Sequence, residues 1–118
     1  MFTISKQFHF SASHQLIGLS DDHPCSRLHG HNYIIEIELQ SEELNSVGFV
    51  RDYHDLGALK SYIDDTLDHR HLNEVLGDTN VTAERLAKHI FDWCSPKWLE
   101  TSAIRVSETP KTWAEYRP

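Results

Sequence analysis

Two runs of alternation constrain this chain most. In residues 2–14, Phe2, Ile4, Phe8 and Phe10 share one parity, and Thr3, Ser5, Gln7 and His9 take the other. In residues 31–40, Tyr33, Ile35, Ile37 and Leu39 alternate with Asn32, Glu36, Glu38 and Gln40. Successive strand side chains point to opposite faces, so each run predicts a half-buried strand, and the two are expected to pair antiparallel. Residues 15–28, with Gly18, Asp21, Asp22 and Pro24, read as the loop between them.

Helical spacing appears next. Asp52 is a natural N-cap with Asp55 three residues on, and Leu56, Leu59, Ile63 and Leu67 follow on one helical face. Asp68 to Asn80 reads as a loop. Thr82 caps a second helix whose apolar stripe is Leu86, Ile90, Trp93 and Cys94, ended by Ser95-Pro96. Ile104, Val106 and Glu108 share a parity on a third strand, Thr109-Pro110-Lys111 turns, and residues 112–117 form a fourth. The order β-β-α-α-β-β predicts the α+β class: a four-stranded antiparallel sheet with two helices on one face. A length of 118 residues, with no repeat or linker, suits a single domain over 1–118. Such a sheet has two open edges, and Trp113 and Tyr116 need cover, so edge-to-edge assembly of copies is expected.

Net charge narrows the partners. At −7, the chain is a poor candidate for nucleic-acid binding through a basic surface, and no apolar run is long enough to span a bilayer. The first residues, Met1 to Lys6, lack a signal-peptide layout, so a cytoplasmic location is expected. An anionic substrate would need a local positive site, which a metal helped by Arg27 or Arg70 would supply. Cys25 and Cys94 are far apart and predict no disulfide. Cys94 falls on the apolar face of the second helix, whereas Cys25 sits among polar residues where a reactive thiol belongs.

The chemistry concentrates in Cys25-Ser26-Arg27-Leu28-His29-Gly30-His31. Residues i and i+2 of a strand share a face, roughly 6.6 Å apart, so His29 and His31 can converge on one ion. His14, at the end of the first strand, can join them. Gly30 leaves room and tolerates an unusual backbone angle. Three imidazoles with an open fourth position describe a catalytic zinc site; surface or hydrogen-bonded histidines are the plain alternative. Cys25 has three readings from spacing alone: a fourth ligand closing a structural site, a thiolate base standing off the metal, or an inert small residue. Asp68-His69 is either a proton relay or an ordinary helix end. Glu108 could bind the N–H edge of a ring such as guanine or pterin, lie in solvent, or pair with Arg105 or Lys111. His54 and His71 read as exposed.

Phe10-Ser11-Ala12-Ser13-His14, Cys25-x-x-x-His29-Gly30-His31-Asn32-Tyr33, Leu67-Asp68-His69, Thr82-x-Glu84 and Ser107-Glu108-Thr109 occur in that order across nearly the whole chain. This pattern resembles the 6-pyruvoyltetrahydropterin synthase / 6-carboxytetrahydropterin synthase family, closest to the bacterial 6-carboxytetrahydropterin synthases of queuosine and 7-deazapurine biosynthesis. The resemblance implies the tunnelling fold, with subunits joined at sheet edges into trimers or hexamers and active sites at their junctions. It implies Zn2+ on His14, His29 and His31, Cys25 as base, and Asp68 and His69 as relay partners, which could serve a neighbour's Cys25. It also implies Glu108 as the pterin anchor, with Thr82 and Glu84 lining the pocket. The implied substrate is 7,8-dihydroneopterin triphosphate. Two departures, His71 and Ala83, bear on pterin contacts and leave the metal residues intact. The alternatives are 6-pyruvoyltetrahydropterin synthase chemistry and a non-catalytic zinc- and pterin-binding oligomer.

Overall fold

A computed structural model describes residues 1–118. Strands β1 (Phe2–His14), β2 (His29–Ser41), β3 (Thr101–Thr109) and β4 (Thr112–Tyr116) form one antiparallel sheet in the order β1-β2-β3-β4. The two 13-residue strands give the molecule its long axis of 55 Å. Their register is unbroken from Phe2↔Ser41 to His14↔His29.

The alternation places the core. Phe8, Phe10 and Ala12 of β1, Tyr33, Ile35, Ile37 and Leu39 of β2, and Ile104 and Val106 of β3 are all buried. The helices cover this face. Asp52 caps the first helical segment by accepting from the His54 backbone N–H. That segment is three turn types in series: a 3-10 turn Tyr53–Leu56, helix α1 (Gly57–Tyr62) and a π-turn Ile63–Leu67. Leu56, Leu59, Ile63 and Leu67 are fully buried, as their spacing predicts. Helix α3 (Ala83–Cys94) is capped by the Thr82 hydroxyl, which accepts from the Arg85 backbone N–H, and it lies over β3 and β4. Cys94 is buried on its inner face, and neither cysteine is in a disulfide.

The segment expected to be a loop after residue 67 contains a short helix, α2 (Leu72–Leu76), closed by Gly77 in the left-handed region at φ 63°. Just before it, residues 69–71 run along the outer edge of β1: His69 N–H donates to Ser11 O, and Ser13 N–H donates to Arg70 O. The expected loop between β1 and β2 also holds a 3-10 turn, Pro24–Ser26, and β2 begins at His29 rather than at residue 31.

The opposite sheet face is charged rather than aromatic. Arg105 bridges Glu36, Glu38 and Glu115, and Arg117 reaches Glu38 and Glu115. Tyr116 packs on Phe91 of α3, ring centroids 5.1 Å apart, so it is covered within the chain. Trp113 stays half exposed.

Candidate active site

The same parity that builds the core carries the histidines. His14 continues the Phe8-Phe10-Ala12 row of β1, and His29 and His31 precede Tyr33 in the inward row of β2. The register sets His14 directly opposite His29 and Ala12 opposite His31, so His31 is the diagonal neighbour of His14. One nitrogen from each ring lies within 4.8 Å of the other two. Gly30 between them is an ordinary strand residue, without the unusual backbone angle it would tolerate; a Cβ there would come 3.4 Å from the Ala12 carbonyl.

Backbone carbonyls fix which nitrogens are free. His14 Nδ1 is 2.7 Å from Val81 O, and His29 Nδ1 is 2.6 Å from Arg27 O. A carbonyl only accepts, so each Nδ1 carries the hydrogen and each Nε2 presents a lone pair. Those two Nε2 atoms stand 2.8 Å apart. With both hydrogens committed to carbonyls, two neutral rings oppose lone pair to lone pair, which a shared cation stabilises. Burial lowers the His31 pKa, the largest influence on it, and so favours the neutral ligand form. The three histidines are therefore positioned to bind a metal, and nitrogen donors of this kind fit zinc.

Glu108 completes the centre. Its Oε2 is 3.7 Å from both His14 Nε2 and His31 Nε2, is shut off from solvent, and has no hydrogen-bond partner. Neither sequence-level pairing forms, because Arg105 is occupied by Glu36, Glu38 and Glu115, and Lys111 makes no ion pair. The Glu108 side chain is 29% exposed, and the residue lines a cleft of about 260 Å³ with Glu84, Trp113 and Glu115. Tyr33, stacked on Phe10 with centroids 5.0 Å apart, also buries an unpartnered hydroxyl, and burial followed by the nearby Glu108 charge raises its pKa.

Asp68 and His69 do interact. Asp68 Oδ1 accepts the Ser11 backbone N–H at 3.0 Å, and Asp68 Oδ2 lies 2.9 Å from His69 Nδ1. The Ser11 N–H foremost, then His69, hold the Asp68 carboxyl below its usual range. His69 has φ 58°, the one non-glycine residue of positive φ. That conformation costs about 1–2 kcal/mol and is held by the bond from its N–H to Ser11 O. The ring is 82% exposed and lines a second cleft, of about 470 Å³, which His31 also lines.

Cys25 lies in the 3-10 turn Pro24–Ser26, half-buried; its N–H donates to His23 Nδ1, and its carbonyl accepts from Leu16 N–H. It is not among the three gathered donors. Thr82 is engaged in capping α3 and lines neither cleft, whereas Glu84 shares a cleft with Glu108. Sequence reasoning missed three contributors. Val81 acts through its carbonyl, which no side chain announces. Tyr33 reads as a core residue. His71, expected to be exposed, is half-buried and hydrogen-bonded to Ser13 Oγ at 3.0 Å, a contact set by the β1 edge pairing.

A family profile described as 6-pyruvoyl tetrahydropterin synthase matches residues 3–118. The 6-carboxy-5,6,7,8-tetrahydropterin synthase of Haemophilus influenzae is 30% identical over 142 aligned positions, covering 99% of this chain and 99% of its own. That of Bacillus subtilis is 31% identical over 130 positions, covering 99% and 86%. Among solved structures, the Caenorhabditis elegans 6-pyruvoyl tetrahydropterin synthase superposes with a TM-score of 0.85 at 29% identity, covering 99% of this chain and 95% of that one. The sheet order, the covering helices and the gathered histidines agree with that likeness. This chain, a tunnelling-fold protein, belongs to the 6-pyruvoyl tetrahydropterin synthase family.

Proposed function

We propose that the chain is a zinc-dependent carbon–carbon lyase, converting 7,8-dihydroneopterin triphosphate and one water to 6-carboxy-5,6,7,8-tetrahydropterin, acetaldehyde and triphosphate in queuosine and 7-deazapurine biosynthesis. One observation carries the reading: three histidine nitrogens converge, two with their tautomers fixed by carbonyls, beside a carboxylate oxygen with no partner. The curated relatives named 6-carboxy-5,6,7,8-tetrahydropterin synthase support the choice of product.

His14, His29 and His31 would hold the zinc, which when bound polarises the hydroxyls of the substrate side chain and acidifies the adjacent C–H. Glu108 offers its carboxylate to the N–H edge of the pterin, a bidentate match, and Glu84 lines the same cleft. Thr82 contributes by fixing the start of the helix that carries Glu84. The Cys25 thiolate takes the proton from carbon. His69, held by Asp68 and open to solvent, returns protons during tautomerisation. The exposure of His69 suits service to a neighbour's Cys25 as well as to its own chain.

The edge of β4, and the edge of β1 ahead of the stretch that residues 69–71 cover, support a homo-oligomer, a trimer or a hexamer, of single-domain 1–118 subunits. Two free cysteines support a cytoplasmic location. No helix is long and apolar enough to cross a membrane.

The test is to incubate zinc-loaded protein with 7,8-dihydroneopterin triphosphate and identify the products by mass spectrometry. 6-Carboxytetrahydropterin with acetaldehyde is the expected outcome. 6-Pyruvoyltetrahydropterin alone would favour the second reading, which the Caenorhabditis elegans likeness supports. Unchanged substrate would overturn both. Cys25→Ala is expected to keep its zinc and lose turnover by about 10²–10⁴-fold, the usual contribution of a general base. An unchanged rate in that variant would remove Cys25 as the base; a wild type that binds zinc and pterin without turnover, and a Cys25→Ala variant that binds them equally well, would leave only a zinc- and pterin-binding protein.

A further inference from the structure

The Glu108 carboxylate belongs to two places at once. Its Oε2 is sealed from solvent, has no hydrogen-bond partner, and stands 3.7 Å from His14 Nε2 and 3.7 Å from His31 Nε2. The side chain as a whole is nevertheless 29% exposed and lines the cleft of about 260 Å³ that it shares with Glu84, Trp113 and Glu115. No histidine lines that cleft. Of its lining residues, Glu108 alone brings a charged atom within 4.0 Å of the histidine nitrogens.

A carboxylate that grips the N–H edge of a ring with both oxygens must turn both towards the cleft. Glu108 keeps one of them buried against the histidines. There Oε2 meets the Nε2 lone pair of His14, whose ring hydrogen is committed to Val81 O. Two acceptors facing each other repel, and a cation between them removes the repulsion. The spacing suits one ion. Ligand atoms held at about 2.0–2.1 Å stand roughly 3.3 Å apart at the tetrahedral angle and at most about 4.2 Å apart. At 3.7 Å from two imidazole nitrogens, Oε2 falls inside that limit as it stands. Glu108 is outside the trio of donors gathered within 4.8 Å of one another, so full closure takes a turn of its side chain. On the cleft side nothing holds the carboxylate back, since no Lys or Arg lines that wall.

We propose that Glu108 is a displaceable fourth ligand of the metal centre: it caps the ion in the substrate-free protein and withdraws when a ring with an N–H edge draws both its oxygens into the cleft. The proposal rests on the reading of His14, His29 and His31 as a metal centre and of Glu108 as the ring anchor. Seating the ring and opening the fourth position are then one event. The position opens to the side chain of a seated substrate and stays closed to small anions while the cleft is empty. One carboxylate shared by two sites links their occupancies.

Cobalt(II) in place of zinc gives the centre a visible spectrum. Azide probes the fourth position, and unsubstituted pterin, which has the ring and no side chain, probes the cleft. In wild type, pterin should tighten azide binding about tenfold, a coupling of ordinary size between linked sites. Without pterin, Glu108→Gln and Glu108→Asp should each bind azide about tenfold more tightly than wild type, because the cap is gone. Their azide-free cobalt spectra should differ from that of wild type. The aspartate keeps the charge and shortens the reach by one methylene. Azide affinity raised in Glu108→Gln but at the wild-type level in Glu108→Asp would reduce Glu108 to a nearby charge and overturn the proposal. Azide binding that ignores pterin in wild type, or one cobalt spectrum common to all three proteins, would overturn it as well. Pterin-dependent azide binding in a protein that turns over no 7,8-dihydroneopterin triphosphate leaves the cap standing and removes the reaction. Turnover with pterin-independent azide binding keeps the reaction and removes the cap.

Discussion

Glu38 and Glu108 are both carboxylates withdrawn into the sheet, and the fold treats them in opposite ways. Glu38, on the charged face of β2, is surrounded by Arg105, by Arg117 at 2.8 Å and by Ser102 Oγ at 2.7 Å. Those partners, Arg117 foremost, hold its pKa down at about 2. Glu108, at the end of β3, has a buried oxygen with no hydrogen-bond partner, 3.7 Å from His31 Nε2 and 3.7 Å from His14 Nε2, whose ring hydrogen is committed to Val81 O. A buried charge left alone costs free energy, so folded chains pair it unless something outside the chain completes the set. The pairing of Glu38 is architecture. The unpaired state of Glu108, among converging lone pairs, marks where a metal and a ligand belong.

Removing each carboxylate in turn separates these roles. Glu108→Ala should lower turnover by about 10³-fold or more, since a site built to hydrogen-bond a ring loses most of its discrimination with that partner. The same variant should melt no lower than wild type when metal-free, because an unsatisfied buried oxygen has gone; steady-state kinetics and calorimetry read the two halves. A large drop in melting temperature would make Glu108 structural and dissolve the contrast.

Glu38→Gln should do the reverse. Stability should fall by about 3 kcal/mol, lowering the melting temperature by about 10 °C, with turnover within about threefold. Acid sharpens this. The folded pKa of Glu38 lies below its unfolded value of 4.5, so the stabilisation is present in full above about pH 4.5. It drains away as pH falls towards about 2, where the folded carboxylate takes its proton. Urea unfolding of wild type and Glu38→Gln should therefore differ at pH 7 and converge near pH 2. A difference independent of pH would assign the loss to packing instead.

The smallest effect is expected at Tyr33. Its hydroxyl is as unpartnered as Glu108, so Tyr33→Phe should cost nothing in the metal-free protein and gain at most about 1 kcal/mol. A loss of 2 kcal/mol or more by calorimetry would reveal a hydrogen bond and remove Tyr33 from the functional side of the comparison.

Much of this was legible in the residues, for local reasons. Strict alternation placed β1 and β2, and their register then brought His14 against His29, which is why three histidines separated by up to 17 positions could be read as one centre. The caps Asp52 and Thr82 are side chains with a defined partner two or three residues on, so they announce themselves. What stayed hidden is short or non-local. Helix α2 spans five residues, too few for a periodic signal. The 3-10 and π turns flanking α1 keep helical spacing and look like one helix. His71 beside Ser13 and Asp68 beside Ser11 depend on the chain returning to the outer edge of β1, 57 or 58 residues later. The Glu108 contacts were open at the sequence level because Arg105 looked equally available; only the sheet shows that three other carboxylates hold it.

X-ray absorption at the zinc edge of the loaded protein tests the central claim most directly. A three-histidine centre with an open position predicts only nitrogen or oxygen neighbours, at about 2.0–2.1 Å, in wild type and in Cys25→Ala alike. A sulfur neighbour at about 2.3 Å in wild type, lost along with the zinc in Cys25→Ala, would make the site a closed structural one and contradict the account.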